Sequence, residues 1–279
     1  VLGEEGDFFA FAKRLVMSRV DKYIYKKVPD YYLPDAISFL DTIRVNSSKL
    51  KEVDVFPDDV AVLQYTGGTT DISKGVMLTH KNITSNMLQT YSVLATVLQI
   101  GRETILCPLP LTHVFSFGVV SVGMMLGAHT VFVSNPRNTN ALIDKIESQA
   151  ITVILGANSL FVELINQSAL SRVDFSKLKL TIAGSMPVQT KVAQAWQKIT
   201  NSPICEGYGM TESSPVVTMN PPKAIQIGTI GLPIPNTQLR LVDDEGQDVV
   251  LGEVGELWIK GPQIMKGYWR DAQATADTI

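Results

Sequence analysis

The sequence predicts an α/β protein: layered, largely parallel sheets with helices, plus a partial antiparallel β-barrel or hairpin module at the C-terminal end. Three observations carry this reading. From Thr130 onward, short apolar runs alternate with amphipathic stretches at helical spacing. Thr104 to Pro136 contains no Asp, Glu, Lys or Arg, and its Pro and Gly residues divide it into loop, helix and strand rather than one span. After Pro221-Pro222 the texture changes to apolar–polar alternation.

Taken in order, Phe8 to Val28 reads as a basic amphipathic helix. Lys13, Arg14, Arg19, Lys22, Lys26 and Lys27 face a single acid, Asp21. Such a helix either lies on an anionic membrane surface or docks its apolar face on its own protein. Lys51 to Asp59 is a charged loop. Val60-Ala-Val-Leu-Gln-Tyr65 is a buried strand running into the turn Thr66-Gly-Gly-Thr-Thr70, and Val76-Met-Leu78 is a second strand. Thr79 or His80 opens the helix that holds Asn86, Met87 and Leu88. Phe117 to Leu126 is helix and Thr130 to Val133 strand. Thr139–Ala150, Asn158–Gln167 and Val188–Thr200 are helices; Ile151–Leu155 and Leu178–Ala183 are strands. This rhythm puts ligands at loops beyond the carboxyl ends of the strands. Gln238–Val242 and Gly255–Lys260, around the turn Asp243-Asp-Glu-Gly246, read as antiparallel β. The organisation is a helix and linker over 1–50, an α/β core over 51–220, and a β-rich module over 221–279.

Composition narrows the function. The chain has 279 residues, 45% hydrophobic and 18% charged, with formal net charge −3. That balance argues against a general nucleic-acid binder. Two cysteines, Cys107 and Cys205, and three histidines make neither a disulfide framework nor a His-based zinc site. A reducing, cytoplasmic compartment is expected, with peripheral contact at the inner membrane face through residues 8–28 as the open alternative. The chain starts at Val1 and ends in a helix-start pattern, and reads as a window of a longer protein.

Two segments carry chemistry. In Thr66-Gly-Gly-Thr-Thr-Asp-Ile-Ser-Lys-Gly75 the glycines free backbone N–H groups to face an anion, the hydroxyls add donors and the lysine adds a point charge. Counted from Gly68 it departs from the common P-loop, since Ser73 takes the second Gly position and Gly75 follows the lysine. It is either a polyphosphate loop or a Gly/Thr-rich surface turn. In Ser202 to Glu212, Tyr208 between glycines offers a ring face to a flat base, Thr211 a donor and Glu212 a hard oxygen for Mg²⁺. The bland alternative is a Gly-rich turn with Tyr208 in the core and Glu212 solvated.

Together these segments resemble adenylate-forming enzymes. Tyr65 to His80 is similar to their phosphate loop, Cys107-Pro-Leu-Pro-Leu-Thr-His113 to their acyl-pocket segment, and Gly207-Tyr-Gly-Met-Thr-Glu212 to their adenine and magnesium motif. Gly228–Pro233, Gly255–Pro262 and Gly267-Tyr-Trp269 resemble later motifs. Tyr31 to Phe39 and Gly67 look most like bacterial long-chain fatty-acid–CoA ligases. The resemblance implies that a fatty acid attacks the α-phosphate of ATP to give acyl-AMP and pyrophosphate, and that coenzyme A then displaces AMP. By position, Thr66, Gly67, Gly68, Thr69, Thr70 and Lys74 would hold phosphates, and Thr66 and Glu212 would hold Mg²⁺. Gly184, Ser185, Glu206, Gly207 and Tyr208 would frame the adenine, and Thr211 would reach the α-phosphate. His113 would stand by the reacting carboxylate, its alternative being a hydrogen-bonded core histidine. Val114 to Leu126 would wall the fatty-acid tunnel. Lys74, Thr211, Glu212 and His113 form the expected catalytic set.

Two departures stand out. Asp71 occupies a usual glycine position, adding like charge and resisting positive φ. The family's ribose-binding Asp, hinge and catalytic Lys would lie beyond Ile279, so these residues alone are expected to be nearly inactive. The alternatives are a fatty acyl-AMP ligase that loads a carrier protein, and a non-catalytic nucleotide- or lipid-binding relative.

Overall fold

The structure is a computed structural model that describes residues 16, 19–20, 24, 32, 34–46, 52–66, 73–133 and 135–279, with only the backbone of 39, 45 and 46. The basic stretch 8–28 therefore falls almost wholly outside the described residues. The chain divides into two compact units, 1–55 and 56–279. The described part of the first includes the short helix α1 (Phe39–Asn46).

The second unit is built on a seven-stranded sheet. Its strands are β3 (Thr104–Cys107), β4 (His129–Phe132), β5 (Val153–Gly156), β6 (Leu180–Ala183), β7 (Ile204–Gly209), β8 (Val216–Met219) and β9 (Leu232–Pro233). The spatial order is β4-β3-β5-β6-β7-β8-β9. The first five are parallel, and β8 and β9 add antiparallel. The α/β expectation holds, and the antiparallel edge explains why a single pattern did not run to the end.

Parallel strands need helical crossovers, and these cover both faces. Period-two alternation divides the side chains. Leu106 and Ile154 pack toward α4 (Thr139–Ser148), α5 (Asn158–Ile165) and α6 (Thr190–Thr200). Ile105, Val153 and Leu155 pack on the other side, with Leu94, Val119 and Val122 of α2 (His80–Leu94) and its neighbour α3 (Val114–Met125). Trp196 on α6 fills the first face. Its indole N–H donates to Thr181 Oγ1 at 3.0 Å, and its ring meets Phe161 edge-on at 4.9 Å.

Helix α2 opens where Thr79 caps it. Thr79 Oγ1 accepts from the Asn82 N–H at 3.1 Å, and the Thr79 N–H donates to Asn82 Oδ1 at 3.0 Å. Helix α3 begins at Val114, three residues before the expected Phe117, because His113 Nδ1 accepts from the Phe115 N–H at 3.3 Å. The uncharged 104–136 stretch is thus strand, helix and strand, and among the described residues no helix is long and apolar enough to cross a membrane.

A second sheet joins β1 (Val60–Tyr65), β2 (Gly75–Thr79) and β12 (Gly267–Tyr268), all antiparallel neighbours in the order β1-β2-β12. The hairpin β10 (Gln238–Val242)–β11 (Glu256–Lys260) is the antiparallel module expected near the C-terminal end. A last helix, α7 (Ala272–Thr278), follows β12.

Candidate active site

β7 is the last parallel strand and the first with an antiparallel partner, so its end and that of β6 open onto one edge of the sheet. There Ala183-Gly184-Ser185, Gly207-Tyr208 and Thr211 line a cavity of about 160 Å³. That is short of the roughly 300–1,000 Å³ that holds a drug-sized ligand, and suits one part of a nucleotide. The strand order turns at β3, with β4 on one side and β5 on the other. Ligands collect at such switch points. The loop leaving β3 accordingly carries His113, and the start of α3 carries Phe115, to the same cavity.

The lining is set by close backbone packing. A Cβ on Gly184 would come within 3.0 Å of the Phe115 ring, so the loop after β6 lies flat beneath that ring. Ser185 follows at φ 70, in the left-handed region where a non-glycine residue is strained. Tyr208 remains partly exposed and lines the cavity.

Glu206 does something different. It is buried on β7, and its Oε2 accepts the Val188 backbone N–H at 2.8 Å. Its carboxylate braces the loop 184–187 from behind rather than lining the cavity. Its backbone carbonyl accepts from the Asn220 N–H at 2.9 Å, tying β7 to the segment after β8.

The expected phosphate loop is the connection between β1 and β2. Its neck is closed by the Thr66 N–H donating to the Lys74 carbonyl at 3.0 Å, next to the Tyr65–Gly75 pair. Gly67, Gly68, Thr69, Thr70 and Asp71 lie outside the described residues. Lys74 is described: its Nζ stands 5.2 Å from the Tyr268 ring centroid. The Tyr268 hydroxyl donates to Glu212 Oε1 at 2.7 Å. Burial, and then the Glu212 carboxylate, push the Tyr268 phenol up to about 12, so it stays a donor at neutral pH.

The fold thus brings His113, Gly184, Ser185, Gly207, Tyr208 and Thr211 to one cavity, and joins Lys74 to Glu212 through Tyr268. Sequence reasoning assigned Tyr268 no role, although it stood in the Gly267-Tyr-Trp269 motif. Phe115 of the lining falls in the stretch expected to wall the acyl tunnel, and Val216 had no expected role. Among the described residues no cluster of three or more His, Cys, Asp or Glu exists.

Fold and cavity define an open α/β protein with a small cavity at the carboxyl ends of parallel strands, where such folds place their ligands. The chain belongs to the family of AMP-binding enzymes, matched over residues 16–269. It is 44% identical, over its whole length, to a long-chain-fatty-acid–CoA ligase of Yersinia pestis, and covers 50% of that protein. Among solved structures it is similar to the long-chain-fatty-acid–CoA ligase FadD1 from Archaeoglobus fulgidus, with TM-score 0.75 and 29% identity over 94% of this chain and 54% of that one. It is also similar to ATP-bound MatB from Rhodopseudomonas palustris, with TM-score 0.74 and 28% identity over 81% of this chain and 44% of that one. The chain spans about half the length of the curated relatives it matches.

Proposed function

We propose that these residues form the nucleotide site and part of the acyl site of a long-chain fatty-acid–CoA ligase that uses ATP and forms AMP. The observation that carries this is the convergence of Gly184-Ser185, Gly207-Tyr208, Thr211 and His113 on one strand-end cavity. In this reading 51–220 is the nucleotide- and acyl-binding core, and 221–279 a β-rich module that reaches back to it through Tyr268. The same site residues serve a fatty acyl-AMP ligase equally, and the acceptor decides between the two.

A fatty-acid carboxylate oxygen attacks the α-phosphorus of ATP and pyrophosphate leaves. The thiolate sulfur of coenzyme A then attacks the acyl carbonyl and AMP leaves. Neither step needs a protein nucleophile, so the residues act by orientation and charge. The Tyr208 ring offers an apolar face to the adenine. Gly184 and Gly207 bring flat backbone to the base, the space of each missing side chain being taken by the Phe115 ring and the Thr218 carbonyl. Thr211 donates toward the α-phosphate, Lys74 neutralises phosphate charge, and His113 stands on the acyl side.

The donor chemistry fits Mg²⁺. Mg²⁺ binds through one or two carboxylates plus substrate phosphates rather than a protein cage. Glu212, whose Oε1 already accepts the Tyr268 hydroxyl, supplies one such carboxylate, and the Thr66 hydroxyl a second oxygen. Bound there, the ion would neutralise developing phosphate charge.

The test is palmitate-dependent exchange of pyrophosphate into ATP, measured on a protein of the relatives' full length that carries this chain. Exchange followed by acyl-CoA on adding coenzyme A is expected. ATP binding without exchange would leave a non-catalytic binding module. Exchange with transfer to a carrier protein alone would identify the acyl-AMP ligase.

A further inference from the structure

Tyr268 meets two opposite charges at two ends of one side chain. Its hydroxyl donates to Glu212 Oε1 at 2.7 Å, and its ring face lies 5.2 Å from Lys74 Nζ. The backbone around it ties the same two segments. The Met265 N–H donates to the Glu212 carbonyl at 2.8 Å, and the Trp269 N–H to the Gly75 carbonyl at 2.7 Å. Tyr268 itself pairs with Val76, two residues past Lys74. Among the described residues the ion pairs are Lys179–Glu103 and Arg240–Asp248, so Lys74 and Glu212 are not joined to each other.

We propose that Tyr268 is a positioning residue that holds Lys74 and Glu212 apart and aimed, one for the polyphosphate and the other for the Mg²⁺ of a magnesium–nucleotide complex. The inference rests on the nucleotide reading above and deepens it. A lysine and a carboxylate at contact distance would neutralise each other and leave little charge for a ligand. A neutral aromatic between them orients both without cancelling either: the π face attracts the ammonium, and the phenol satisfies one carboxylate oxygen. A cation would then take Glu212 Oε2. Partners that orient a metal ligand in this way commonly control metal affinity.

A bland role is also open to Tyr268, since it packs with Val76, Leu78, Val114 and Met265. Tyr268→Phe separates the two, because it keeps the packing and the face toward Lys74 and removes only the hydroxyl. ATP binding to the full chain is measured by calorimetry, with Mg²⁺ and with a chelator. The wild type is expected to bind the magnesium complex more tightly than metal-free ATP. Tyr268→Phe should weaken binding of the magnesium complex by about tenfold and leave metal-free ATP unchanged. Tyr268→Leu should weaken both. A Tyr268→Phe protein that keeps the wild-type preference for the magnesium complex overturns the proposal.

The double variant Tyr268→Phe/Glu212→Gln is a second test of the same coupling. If Tyr268 acts through Glu212, the double variant binds the magnesium complex as Glu212→Gln does. A further loss specific to the magnesium complex means that Tyr268 acts some other way. A wild type that binds no ATP under either condition refutes the nucleotide reading, and this inference falls with it.

Discussion

Asn86 on α2 pairs with both backbone polar groups of Val216. Its Nδ2–H donates to the Val216 carbonyl at 2.8 Å, and its Oδ1 accepts the Val216 N–H at 3.1 Å. A helix side chain thus stands in for a strand partner at the start of β8. Val216 also lines the cavity. Asn82 and Gln89, one turn before and one turn after Asn86, donate to the carbonyls of Ile264 and Pro235 at 2.7 and 2.6 Å. The buried polar stripe of α2 is therefore the mortar between the main sheet and the segment that leads to Tyr268. Asn86→Leu would leave a buried N–H and C=O unpaired at Val216. A loss of about 2–6 kcal/mol is expected, since each of the two unsatisfied groups costs roughly 1–3. Urea unfolding followed by tryptophan fluorescence measures it; a loss below about 0.5 kcal/mol would contradict the assignment.

Glu206 should act through Val188 rather than through a ligand. Glu206→Ala strands a buried N–H and is expected to cost about 1–3 kcal/mol. Glu206→Gln keeps an oxygen at the same place and should recover most of that stability. If alanine and glutamine are equally destabilising, the bond to Val188 is not what holds the loop. Thermal melts of the two variants side by side decide this.

Gly209 has no room for a side chain. A Cβ there would fall 1.9 Å from the Pro215 carbonyl oxygen, a backbone atom that cannot swing away. Gly209→Ala should therefore cost about 3 kcal/mol or more. Gly207→Ala, whose Cβ would approach the Thr218 carbonyl only to 3.0 Å, should be milder. The order of the two melting temperatures is the measurement, and a reversed order refutes the packing argument.

The far end of the sheet carries a pH-dependent brace. Burial tends to raise the Glu103 carboxyl. The Lys179 ammonium at 2.7 Å, the Thr152 hydroxyl and the Gln99 N–H outweigh it and hold the group below its ordinary range. A carboxyl depressed by folding contributes stability above its unfolded pKa and loses it as pH falls through the folded value. Glu103→Gln should cost about 1–3 kcal/mol near neutral pH, discounted because Lys179 is 35% exposed. The gap to wild type should narrow below pH of about 4. Denaturation across pH 3 to 8 measures it, and a gap that widens on acidification would have the wrong sign.

Asp71 adds a negative charge to a loop read as a polyphosphate cradle. Asp71→Gly is expected to tighten ATP binding about fivefold, the equivalent of roughly 1 kcal/mol of screened repulsion. Calorimetry on the two proteins tests it; equal or weaker affinity in the glycine variant would end the idea.

By itself the sequence determined what depends on near neighbours. Short apolar runs and 3.6-residue periodicity marked β5, β6 and the helices that follow, to within a few residues. Thr79 announced the start of α2, and the Gly-rich turns after β6 and β7 marked where a site would lie. Only the tertiary structure decided the strand order, the approach of the His113 loop over Gly184, the inward turn of Glu206 to Val188, and the placing of Tyr268 between Lys74 and Glu212. The reason is physical. A local pattern reports which face of an element is apolar, but a hydrogen bond between residues far apart in the chain exists only once the elements have packed. Tyr268 resembled one more aromatic in a short motif until β12 paired with β2 and carried its hydroxyl to the carboxylate.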